Sequence, residues 1–235
     1  MNTQQGEAVS TDNARVKSVR ISISRRDFMK FSGMVVAGVC FLGYEKDARG
    51  QQTATWGFLL VDPKKCQGCQ SCMLACSLVH HGQINLSLSR IQIQQDPYGR
   101  YPDDITIVQC RQCMVPACVS ACPTGALARD PDNGDVATVD TAKCIGCKSC
   151  IAACPFIPGR TVWNADAQHA QKCDLCADTP YWNETGGPDG KKACVATCPL
   201  GAIAFTKVVP DQGSADSYTV NLRDWGWKKL GYPLL

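Results

Sequence analysis

Cys144-Ile-Gly-Cys-Lys-Ser-Cys-Ile-Ala-Ala-Cys-Pro155 decides how this chain is read. Its spacing is C-x2-C-x2-C-x3-C-P. Three thiols two residues apart fall on one tight loop and can wrap three corners of a [4Fe–4S] cube. The fourth lies about one helical turn further along, with its sulfur aimed away from that cube. It therefore suits a neighbouring cluster, and Pro155 ends the local turn. One such run demands a partner run.

Three more runs are present. The first is Cys66, Cys69, Cys72 and Cys76, with Ser77 where a proline would follow. The second is Cys110, Cys113, Cys118 and Cys122, widened in its second gap by Met114-Val115-Pro116-Ala117. The fourth is Cys173, Cys176, Cys194 and Cys198, with a long Gly-rich loop between its second and third cysteines. Runs two and four both continue as Cys-Pro-x-Gly-Ala. Repetition of this kind sets the architecture before any secondary-structure assignment. The chain has 17 cysteines, and all but Cys40 fall in the runs. Sixteen thiolates complete four cubanes.

Charge narrows the function. Of 235 residues, the first fifty carry the whole formal excess of +3; the remainder balances 16 basic against 16 acidic side chains. Each oxidised cluster with its four thiolates adds about −2, so the mature, loaded protein sits near −8. That charge, and the lack of a basic run beyond residue 50, excludes nucleic acid as a partner.

Residues 1–23 are polar. Ser24-Arg25-Arg26-Asp27-Phe28-Met29-Lys30 precedes a modest apolar stretch, Phe31 to Tyr44, too short to span a membrane at about 20 residues. The pattern S-R-R-x-F-x-K resembles a twin-arginine signal, so residues 1–50 read as an export leader, with the mature chain starting near Gln51. A lipidated Cys40 fits poorly behind the bulky Val39. Export and clusters explain each other. Clusters are inserted in a reducing compartment, and the twin-arginine route carries folded, loaded proteins. Disulfides are the competing reading for an exported cysteine-rich chain, but gaps of two residues make poor disulfide partners.

Further along, Phe58-Leu-Leu-Val61 reads as a strand leading to the first run, and Leu78 to Gln83 as the end of a short helix after it. Arg90–Gln95 and Ile105–Val108 read as strands around a turn at Asp96–Gly99. Ala126–Arg129 and Val136–Val139 form a predicted hairpin with Asn133-Gly134 at its turn, and Ala202–Thr206 suggests a similar hairpin. His80 and His81 read as surface histidines or neighbours of the ligands, because cysteine fills every ligand position. Lys64, Lys65, Lys143 and Lys148 flank the runs; most read as solvated, and some as raising cluster potentials. The aromatic tail, Trp225 to Leu235, is either a strap on its own domain or a docking segment.

A ferredoxin unit needs two runs, each lending its fourth cysteine to the other's cluster. Adjacent runs two and three make an inner pair, and runs one and four an outer pair. The expected ligand sets are Cys66, Cys69, Cys72 with Cys198; Cys173, Cys176, Cys194 with Cys76; Cys110, Cys113, Cys118 with Cys154; and Cys144, Cys147, Cys150 with Cys122. This nested arrangement resembles the four-cluster electron-transfer subunits of the complex iron–sulfur molybdoenzyme family, over about residues 56–207. The fold expected is α+β: two pseudo-symmetric bacterial-ferredoxin-like units with short strands, short helices and many loops. Residues 51–106 with 160–209 would form the outer unit, 107–159 the inner, and 210–235 a tail.

No catalytic constellation, nucleotide loop or nucleophile motif is present. Fully thiolate-ligated cubanes move single electrons. The resemblance implies an electron relay in the periplasm, peripheral to the cytoplasmic membrane. It would run between a membrane quinone- or cytochrome-linked subunit and a catalytic subunit carrying molybdenum or tungsten bis-pterin. The alternatives are a stand-alone periplasmic polyferredoxin and a zinc-binding structural module, though zinc sites usually present two separated pairs.

Overall fold

The computed structural model describes residues 44–46, 52–101, 103–214 and 216–223. Arg25, Arg26, Cys40 and the tail from Trp225 to Leu235 lie outside the described residues. Short strand β1 (Tyr44–Lys46), inside the segment read as a leader, pairs antiparallel with β2 (Gln52–Val61).

β2 is the longest strand and the centre of the largest sheet. On its other side lies β9 (Ile203–Val208), antiparallel, with Phe58 opposite Thr206 and Val61 opposite Ile203. The sequence suggested a local hairpin for Ala202–Thr206; instead this segment crosses back to the start of the chain. The physical reason is burial: Phe58, Leu59 and Val61 need a covering partner, and Ile203 supplies one. The register slips between Thr53 and Phe58. Gly57 sits there at φ +82, and a Cβ on it would run into the Phe205 ring. Only glycine allows that close approach.

Residues 216–223 meet the end of the same strand in a parallel bridge at Val61. Val61 N–H donates to Tyr218 O at 2.9 Å, and Val220 N–H to Val61 O at 2.8 Å. Buried Tyr218 packs edge-on against Phe58, with ring centroids 6.1 Å apart. Fully burying a ring such as Phe58 contributes about 1.5–3 kcal/mol. This apolar cluster extends to the cysteines of runs one and four, while a smaller one gathers Leu127, Cys150 and Ala170 with cysteines of runs two and three.

The remaining elements are short. Helix α1 (Ser71–His81) begins before Cys72, earlier than the sequence suggested, and stops at Gly82, which is left-handed and donates to Leu78 O at 2.8 Å. Strands β3 (Gln92–Gln95) and β4 (Ile105–Val108) pair, as do β5 (Leu127–Asp130) and β6 (Val136–Val139). The single-turn helices α2 (Ala117–Ser120), α3 (Ser149–Ala152) and α4 (Ala193–Thr197) each carry one cysteine of a run. The hairpin of β7 (Val162–Asn164) and β8 (His169–Gln171) was not foreseen; its three-residue strands are too short to show a period. Among the described residues no helix is long and apolar enough to cross a membrane.

Candidate metal centre

Each cysteine loop bends at the same place. The residue before the second cysteine is left-handed in all four runs: Gly68 (φ 68), Gln112 (φ 45), Gly146 (φ 71) and Leu175 (φ 57). Glycine takes that conformation freely; Gln112 and Leu175 hold it at a cost of order 1–3 kcal/mol. Leu175 is held by full burial. Gln112 is also buried, and donates to Cys173 O at 2.6 Å through its side-chain amide.

The fourth cysteine of each run accepts a backbone N–H on its sulfur. Arg90 N–H reaches Cys76 Sγ at 3.4 Å, and Leu127 N–H reaches Cys122 Sγ at 3.3 Å. Arg160 N–H reaches Cys154 Sγ, and Ala202 N–H reaches Cys198 Sγ, both at 3.2 Å. The Cys-Pro-x-Gly-Ala repeat now has a reason. Gly125 and Gly201 are left-handed and turn the chain back on the cysteine they follow. Such bonds favour the thiolate form that metals need.

The fold collects the cysteines into groups. Cys66, Cys69, Cys72 and Cys198 line one cavity. Cys110, Cys113, Cys118 and Cys154 line another. Cys122, Cys144, Cys147 and Cys150 line a third. Cys194 has Cys173, Cys176 and Cys76 as electrostatic neighbours, and Cys176 has Cys76. Among the described residues no three His, Cys, Asp or Glu side chains converge closely enough to hold a single metal ion.

Neighbouring thiols also give the groups an order. Cys194 feels Cys72 of the first group, Cys173 feels Cys110, and Cys150 feels Cys118. Cys69 and Cys147, in the two end cavities, are exposed. Ser71 hydrogen bonds hold the Cys69 thiol low, and Ser149 does the same for Cys147. Inside, burial pushes thiols up, to about 12 at Cys72 and Cys176 and about 11 at Cys113. Without a strong cation these thiols would stay protonated. Iron held by four of these thiolates would supply that cation, and soft sulfur donors suit it.

Polar side chains buried behind the cysteines went largely unread in the sequence. Of the two readings of His80, the structure takes the neighbour of the ligands: Nδ1 lies 2.7 Å from Cys76 O, and Nε2 lies 3.0 Å from Asp174 Oδ1. Arg90 binds the other oxygen of Asp174 at 2.8 Å. Burial alone would raise the Asp174 pKa, but His80 and Arg90 hold it well below the usual carboxylate range. Lys172 is buried and donates to Gln112 Oε1, Ala137 O and Cys173 O. A lysine beside a cysteine run reads as solvated until the backbone around it is known. The flanking lysines named from sequence are more ordinary. Lys143 pairs with Asp140 at 2.8 Å, Lys148 caps the Trp163 ring at 4.3 Å, and Lys65 donates to Leu222 O.

Comparison with known proteins places this geometry. A 4Fe-4S dicluster domain matches residues 104–208, and a 4Fe-4S binding domain matches residues 63–79. The thiosulfate reductase electron transfer subunit PhsB of Salmonella typhi is 37% identical over 64% of this chain and 75% of that protein. The B component of the sulfite dehydrogenase of Allochromatium vinosum is 33% identical over 75% of this chain and 81% of its own length. The B component of the anaerobic dimethyl sulfoxide reductase of Escherichia coli K12 is 33% identical, covering 65% and 74%. The chain belongs to this family of [4Fe–4S] electron-transfer subunits.

Proposed function

We propose that the chain holds four [4Fe–4S] clusters, one in each cysteine group, and relays single electrons along them in the order of the groups. The observation that carries this reading is the sharing of cysteines between distant runs, as when Cys198 joins Cys66, Cys69 and Cys72 around one cavity. Bound clusters supply reversible one-electron chemistry. The chain's own residues do the rest. Buried Phe58, Leu59 and Tyr218 keep water from the interior. The four backbone N–H groups on Cys76, Cys122, Cys154 and Cys198 orient the shared sulfurs. Exposed Cys69 and Cys147 bring the end groups to the surface, where partners can exchange electrons.

The partners follow from the relatives. The names of several relatives describe components of thiosulfate, dimethyl sulfoxide or sulfite oxidoreductases. We assign one end of the relay to an exported catalytic subunit with molybdenum or tungsten bis-pterin. The other end goes to a membrane quinone- or cytochrome-linked subunit. The S-R-R-x-F-x-K motif at Ser24–Lys30 supports twin-arginine export and a periplasmic location. Two ferredoxin-like units, 107–159 within 51–106 and 160–209, account for the paired runs.

Anaerobically purified protein should contain about 16 iron and 16 labile sulfide per chain. Gentle purification from membranes should bring down a large catalytic subunit and a membrane redox subunit. Iron near 12 per chain would remove one group from the relay, stoichiometric zinc would restore the structural module, and a persistently free monomer would favour a stand-alone polyferredoxin.

A further inference from the structure

The four cysteine groups share one device, a backbone N–H on a shared sulfur, so that bond cannot set them far apart in potential. Charge can. Arg111, Arg160 and Lys172 line the cavity of Cys110, Cys113, Cys118 and Cys154, and no carboxylate lines it. The end cavity of Cys66 and Cys198 has no charged side chain in its lining. The other end cavity has Lys148, which is exposed. The fourth group has cations too, but the Asp174 carboxylate sits between His80 and Arg90.

Two of these cations are built in. Lys172 is 3% exposed, and its three oxygen acceptors, at 2.6 to 3.3 Å, use all three donors of an ammonium. Arg160 is anchored by its own amide on Cys154 Sγ, yet its Nε and Nη1 are buried with no hydrogen-bond partner. Among the described residues neither side chain has a carboxylate partner. Burying an uncompensated cation is costly, so an anion in this cavity must offset it. A cluster with four thiolates is such an anion. Its reduction adds one electron and one negative charge, with no bond made or broken. Fixed cations in a low-dielectric interior favour the more negative state.

Resting on the four-cluster reading above, we propose that the Cys110 cavity is the electron store of the chain, made easier to reduce than either end cavity by Arg160 and Lys172. The donor is the adjacent cluster, which is oxidised by the same single electron. An electron entering at either end settles inside, and its departure waits on a partner able to accept it. Arg160 and Lys172 are positioning residues: they act through the field at the cluster, not through contact with a substrate.

Redox titration followed by EPR tests this on the full loaded protein. Cys113→Ser, Cys69→Ser and Cys147→Ser identify the signals of the inner and the two end cavities. The inner signal should appear at a higher potential than both end signals. Arg160→Gln and Lys172→Gln should shift it downward and leave the end signals in place. Arg160→Lys, which keeps the charge, should hold it near wild type, separating charge from packing. Unchanged potentials in both Gln variants, or an inner signal that appears after both end signals, overturns the proposal with the cluster reading intact. If Cys113→Ser and Cys154→Ser remove different signals, the ligand grouping fails instead, and the proposal with it.

Discussion

His80 Nε2 lies 3.0 Å from Asp174 Oδ1, across 94 positions of sequence. The contact ties the helix of run one to the loop of run four, and both side chains are nearly inaccessible, at 2% and 5%. Arg90 completes the triad. Removing one member leaves charge buried without its counterpart.

Asp174→Asn should therefore destabilise the loaded protein by about 3–5 kcal/mol, the range for breaking a buried ion pair. Anaerobic denaturant unfolding measures it. A loss under about 1 kcal/mol would mean water enters the site and the pair behaves like a surface bridge.

Gly57→Ala tests the junction of β2 and β9. The new methyl would run into the Phe205 ring and stand 2.8 Å from Thr206 O, at φ +82. Strain and overpacking together should cost about 2–4 kcal/mol, read as a lower melting temperature with clusters still bound.

Cys198→Ser should perturb the same EPR signal as Cys66→Ser, since both thiols line one cavity. Cys173→Ser, in the same run as Cys198, should perturb a different one. Loss of one common signal in Cys198→Ser and Cys173→Ser would pair each run with itself.

Stripping the iron with acid and chelator should abolish cooperative unfolding. Burial holds Cys72 and Cys176 thiols near 12, so the apoprotein keeps them protonated and loses its cross-links. Near-UV circular dichroism follows the change; a sharp unfolding transition in the apoprotein would show the apolar core stands alone.

Changing Arg25 and Arg26 together to Lys should hold the protein in the cytoplasm with its clusters intact. Cell fractionation reads the outcome, and normal export of the double variant would sink the leader assignment.

Read alone, the amino-acid order was enough for the chemistry and the repeat. Cysteine spacing is local, so C-x2-C-x2-C and the sixteen run cysteines could be read without a fold. The hairpin of β5 and β6 was legible for the same reason, because alternation and Asn133-Gly134 act over a few residues. What stands behind the sulfurs was settled only on folding. Ile203 covers Val61 rather than folding on its own neighbours, because the buried face of β2 lies at the far end of the chain. His80, Asp174, Lys172 and Arg160 look like ordinary polar residues in one dimension. Burial and unshared charge make them consequential, and both arise only when segments distant in sequence close over the same interior.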